Sequence, residues 1–168
     1  MMRKWWCPLP KITTHKLIFM GIDPGKAGGI AVINNARNSV AVKMPDTCVG
    51  ILDAMEKLCG KNHVVCCLEK VHAMPGQGVS SMFTFGEGFG YLKMALAAKG
   101  ISTTLVTPQA WQKHLGVKRR DKAGGESSAH FKKRLRQIAS GLFPQNSVTA
   151  ETADALMLAE YCRSTHNA

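Results

Sequence analysis

The chain begins its apolar pattern with short runs and then changes to longer segments with helical spacing. Residues 16–23, KLIFMGID, form an apolar run ending in Asp23 and read as a buried strand. PGKAGG (24–29) supplies a turn, GIAVIN (29–34) a second strand, NNARN (34–38) a loop and SVAVKM (39–44) an alternating third strand. Two short connections between three strands predict an antiparallel meander. Asp46 or Thr47 can cap a helix to about Leu58, with Gly60 as its stop. HVVCCLE (63–69) is a fourth strand that again ends in a carboxylate, and KVHAMPGQGV (70–79) is a loop with a Pro-Gly turn. Ser80 or Ser81 opens a helix to about Lys99, stopped by Gly100, and STTLVT (102–107) is a fifth strand. Pro108 suits the first turn of a short helix that holds Trp111 and ends near Gly116. A glycine-containing basic loop (117–128) leads to a basic amphipathic helix over 128–143, and a last apolar helix holds TAETADALMLAEY (149–161). The order predicts an α/β fold, a five-stranded mixed sheet, three strands in an antiparallel meander plus two parallel strands, flanked by helices.

At 168 residues the chain suits one domain, here 17–165, preceded by a basic arm over 1–16. That arm reads as a flexible segment or an organelle presequence, and its apolar part is too short and interrupted for a secretory signal. No run of about 18 apolar residues predicts a transmembrane helix, so no membrane partner is expected. The six cysteines include no CxxC pair, which suits free thiols inside a cell and not a disulfide or zinc framework. Cys66 and Cys67 are adjacent and should face opposite sides of their strand.

Charge adds a partner class. Residues 1–16 carry +4 and residues 113–136 carry +7, which together make the whole net charge of +11. Two concentrated basic segments on a neutral body point to an anionic polymer, with a merely solvated basic face as the alternative. Lys118, Arg119 and Arg120 are candidate phosphate contacts by composition. Lys132, Lys133, Arg134 and Arg136 extend that track or form the solvated face of their helix. Phe83 and Phe85 suit an interface, a wedge or core packing, whereas Phe89 and Leu92 read as core.

The acids carry the candidate chemistry. Asp23 and Glu69 end two strands that would emerge at one sheet edge if adjacent and parallel. Glu151 and Asp154 share one helix face, one turn apart. Each acid has a plainer explanation alone: an Asx turn for Asp23, solvation for Glu69, and the helix dipole, worth about 0.3–1 kcal/mol, for the other two. Four converging carboxylates would cost on the order of several kcal/mol unless cations neutralise them, which hard divalent ions with oxygen ligands do. Two such ions about 4 Å apart support in-line phosphoryl displacement.

The segments GIDPGKAGGIAV, CCLEKVHAMPGQGVSSMFTFG, VTPQAWQKHLGV and ETADALMLAEY closely resemble the RuvC-like Holliday junction resolvases of the ribonuclease H-like superfamily, especially phage-type members. The resemblance runs over about 17–163. It implies a homodimer that nicks two strands of a four-way DNA junction symmetrically, using two Mg2+ ions per site, with Mn2+ able to substitute. Its metal-binding acids map onto Asp23, Glu69, Glu151 and Asp154, although the bacterial pattern usually has Asp where this chain has Glu151. Bacterial members often carry an aromatic residue where this chain has His72. Lys113 and Lys122 match positions of DNA-contacting lysines. The resemblance places the action inside a cell: in host cytoplasm for a viral chain, at the nucleoid for a bacterial one, with an organelle left open. The alternatives are another ribonuclease H-like nuclease acting on flaps, forks or RNA–DNA hybrids, and a non-catalytic junction-binding protein. An actin-like or sugar-kinase-like ATPase would need a second such domain, for which the chain is too short.

Overall fold

The computed structural model describes residues 16–71, 78–121 and 123–166. The arm over 1–15, with Cys7, and the residues His72 and Lys122 lie outside them. Five strands, β1 Leu17–Asp23, β2 Gly29–Asn34, β3 Ser39–Lys43, β4 His63–Glu69 and β5 Ser102–Val106, make one sheet in the order β3-β2-β1-β4-β5. The pairs β1–β2 and β2–β3 are antiparallel, and β4 is parallel to both β1 and β5. This is the expected mixed sheet, with its meander and two parallel strands.

Five helices cover it: α1 Cys48–Cys59, α2 Val79–Ala98, α3 Pro108–His114, α4 Ser128–Leu142 and α5 Ala150–His166. Thr47 caps α1 by accepting from the Gly50 amide, and Gly60 ends it with φ 51°. Thr107 caps α3, with Pro108 in its first turn. Helix α2 departs from expectation. It starts at Val79 with Gly78 as a cap and not at Ser80 or Ser81, because the Gly78 carbonyl already accepts from the Met82 amide. At the front of α5 the Thr149 hydroxyl accepts from the Thr152 amide while the Thr152 hydroxyl accepts from the Thr149 amide, a reciprocal cap.

Strand alternation divides the core in two. Ile18, Met20 and Ile22 of β1 face α1 and α2, meeting Ile51, Met55, Leu92 and Leu96. Phe19 faces the other side, where α3, α4 and α5 pack. Cys66 and Cys67 do fall in opposite cores. Helix α5 is buried almost all round over Ala155–Ala159 and lies directly on β1. Gly21 allows this approach, since a Cβ there would collide with the Ala155 carbonyl and the Ala159 amide. The far end of α5 is pinned by buried Glu160, whose carboxylate accepts from Arg163 and, at 2.7 Å, from Arg37 in the β2–β3 turn. No described helix is long and apolar enough to cross a membrane.

Candidate active site

Strand parity sets the site. Asp23 shares a face with Phe19 and Gly21, the face that α5 covers, and Glu69 shares a face with Cys67 on the same side. The parallel register pairs Ile22 with Leu68, so Asp23 and Glu69 follow side by side at the strand ends. The β1–β2 turn passes close beneath Asp23: a Cβ at Gly28 would strike the Asp23 carbonyl and lie 3.1 Å from its carboxyl carbon. Asp154, in the second turn of α5, is set over this edge by the close packing at Gly21.

These three carboxyls feel one another. Burial first, then Asp154 and Glu69, push Asp23 up to about 8, with Lys132 opposing and a hydrogen bond to Glu69 adding to the rise. Burial first, then Glu69, push Asp154 up to about 6, again against Lys132. Burial raises Glu69 too, while hydrogen bonds to Trp111 and Asp23 and the charge of Lys132 hold it back. Glu151 answers to other neighbours. The Thr149 hydroxyl and its own amide hold its carboxyl below the usual range, burial opposes this, and Lys43 and Lys132 assist.

Among the described residues, no three His, Cys, Asp or Glu side chains already close round an ion. The donor set nevertheless fits a hard divalent cation. It is all oxygen, and its members interact as carboxyls short of positive charge, which Lys132 alone only partly supplies.

The basic residues divide by role. Arg119, Arg120 and Lys132 line a cavity of about 400 Å3 between α3 and α4, with Gln109 and Gln112. Arg120 donates to the Ser128 hydroxyl. Lys113, Lys118, Arg119, Lys133 and Arg136 are exposed. Arg134 has a structural task, bonding Glu126 at 3.1 Å and the Lys118 carbonyl at 2.9 Å, so it ties the basic loop to α4. Leu92 is core and Phe89 packs beside it. Phe83 is 74% exposed, and Phe85 borders a cavity of about 380 Å3 beside Gly25.

Sequence reasoning missed two contributors. Trp111 donates from Nε1 to Glu69 Oε1 at 2.9 Å. Lys132, by sequence a DNA-track or solvated residue, bears through its charge on all four acids. A buried indole usually finds an acceptor, and that is the one signal in the sequence that pointed to the first.

Sheet order and helix placement define a RuvC-like, ribonuclease H-like fold. The chain is similar to Thermus thermophilus RuvC in complex with Holliday junction substrate, with a TM-score of 0.59 at 15% identity over 86% of this chain and 91% of that one. A second Thermus thermophilus RuvC structure gives 0.56 at 16% identity over 86% and 92%. The yeast mitochondrial Holliday junction resolvase Ydc2 gives 0.45 at 13% identity over 86% and 77%. No family model and no curated protein sequence matches the chain.

Proposed function

We propose that this protein is a divalent-metal-dependent endonuclease that resolves four-way DNA junctions by paired symmetric nicks. The observation that carries this reading is the meeting of Asp23, Glu69 and Asp154 at one sheet edge, all three with raised carboxyls. The RuvC-like fold, in which one structural neighbour holds a Holliday junction, supplies the substrate class. Asp23, Glu69 and Asp154 hold the metal, and Glu151 joins them from the first turn of α5. Two Mg2+ ions bound there, or Mn2+ in their place, would activate water and stabilise the leaving oxygen of an in-line hydrolysis.

The chain's own groups do the rest. Lys132 balances the acids and meets the phosphate beside them. Lys113, Lys118, Arg119, Arg120 and Lys133, with Lys122 from outside the described residues, hold the DNA arms through phosphates, fixing register without reading sequence, and His72, also outside them, stacks in the junction. A second copy of the chain docks on α2, where Val79, Phe83 and Met94 are 87%, 74% and 70% exposed on one helix face. A two-fold dimer presents two equivalent sites to a nearly two-fold junction. The work belongs inside a cell, where the five described cysteines stay free as thiols.

The test is cleavage of a labelled synthetic junction, with and without Mg2+, beside linear duplex, flap and RNA–DNA hybrid. Symmetric paired nicks that need the metal and vanish in Asp154→Asn are expected. Cleavage confined to hybrid or flap would replace the substrate, and junction binding with no cleavage under any divalent ion would remove the catalytic reading.

A further inference from the structure

Trp111 is 1% exposed, and its indole N–H is a donor that cannot accept. If it only filled space, a phenyl ring would serve and no buried N–H would need a partner. The partner it has is the Glu69 carboxylate, at 2.9 Å.

The backbone explains why this contact is well fixed. Glu69 pairs with Val106 at the end of β5, and the Lys70 amide donates to the Val106 carbonyl at 2.7 Å. Thr107 follows immediately and caps α3, Pro108 sets its first turn, and the Trp111 amide donates to the Thr107 carbonyl at 3.3 Å. The indole and the carboxylate therefore hang from the same point of the sheet edge, the carboxylate on the last residue of β4 and the indole on the short, capped helix that follows β5. Beyond Trp111 the chain turns at Gly116, φ 68°, and the Val117 amide donates back to the Gln112 carbonyl at 2.8 Å before the basic residues begin.

We infer that Trp111 is a positioning residue for the metal centre: its N–H holds one oxygen of Glu69 and so fixes the orientation in which that carboxylate receives a divalent cation. The inference rests on the metal-centre reading above. Ligand carboxylates held by hydrogen bonds of this kind typically lose about 10- to 100-fold in metal affinity when the partner is removed. Because α3 also leads into the Lys118–Arg120 segment, the same indole joins the metal ligand to the DNA-contacting loop.

The experiment measures Mn2+ binding to the full chain without DNA, by the loss of the free-ion paramagnetic resonance signal. Wild type, Trp111→Phe, Glu69→Gln and the double variant are compared, each checked for folding by circular dichroism. The inference expects Trp111→Phe to be folded and to bind Mn2+ about 10-fold more weakly or worse. The double variant should bind no more weakly than Glu69→Gln. Equal Mn2+ affinity in wild type and Trp111→Phe, with loss in Glu69→Gln, would overturn the inference and leave the metal centre standing. No Mn2+ binding by wild type would overturn both.

A second measurement does not depend on Trp111→Phe folding. The sequence has three tryptophans, so Trp5→Phe with Trp6→Phe leaves Trp111 alone to fluoresce. Its emission should shift on adding Mg2+, and Glu69→Gln should abolish the shift. An emission blind to Mg2+ in a chain that binds Mn2+ would again overturn the inference alone.

Discussion

Asp23 shows what bringing these acids together costs. Burial and two neighbouring acids push its carboxyl up to about 8, against 3.8 for the free side chain. Between those values the folded chain keeps a proton that the unfolded chain releases, so metal-free stability falls as pH rises from about 4 to about 8. Asp23→Asn removes that burden. In chelator at pH 8 it should be more stable than wild type by about 1 kcal/mol or more, raising Tm by about 2–4 °C. Near pH 4 the gain should vanish, and cleavage should be lost at every pH. Calorimetry at both pH values checks this, and an unstabilised variant at pH 8 would show that the acids do not repel as described. At this scale the meeting of Asp23, Glu69 and Asp154 was legible because strand ends and helix spacing are local patterns. The Trp111 bond was not, because its two partners lie 42 positions apart and meet only through the β4–β5 pairing. Arg134, one of four Lys/Arg residues on one helix, differs from Lys132 in having Glu126 and the Lys118 carbonyl within reach, which spacing cannot reveal.

Among the elements, the contact of α5 with β1 sets the distance between acids. Gly21 leaves no side chain between strand and helix, so the Asp154 turn is held to Asp23 by backbone packing. Gly21→Ala forces the helix outward. Overpacking of this kind costs about 1–3 kcal/mol, and more where only backbone can yield. Denaturant melting should show at least that loss, and junction cleavage should fall further than the unfolded fraction accounts for. A variant as stable and active as wild type would mean that α5 is not held by this contact. The strands and most helix ends were readable, since apolar runs, Thr47, Pro108 and Gly60 are strong local signals. The start of α2 was not, because Ser80 and Ser81 look like caps while the Gly78 carbonyl accepts the first helical bond. Nor was the Thr149–Thr152 cap, a Thr standing where Glu or Gln usually closes such a box.

Taken whole, the molecule is a sheet between two helical layers. One layer, α3 to α5, carries Glu151, Asp154 and the basic cavity on the side where Asp23 and Glu69 leave the sheet; the other, α1 and α2, carries the exposed apolar face. The charge pattern in the sequence points to a polyanion, but nothing in it separated the apolar stripe of α2 from core, because both show helical spacing. Phe83→Asp places a charge in the centre of that stripe. It should convert a dimer to a monomer in sedimentation equilibrium while leaving the Tm within a few degrees, because the ring makes no core contact. A chain that sediments as a monomer before substitution would remove the dimer reading.

The sheet between these layers has a genetic consequence. In the proposed dimer a chain disabled at Asp154 would keep its α2 layer whole and would still recruit an intact copy as a partner. Such a mixed pair would have one working blade. It would open a single strand and leave the junction joined through the other. An inactive allele of this protein would thus be dominant: made alongside the intact chain, it would trap active subunits in half-cutting pairs and would not simply dilute them.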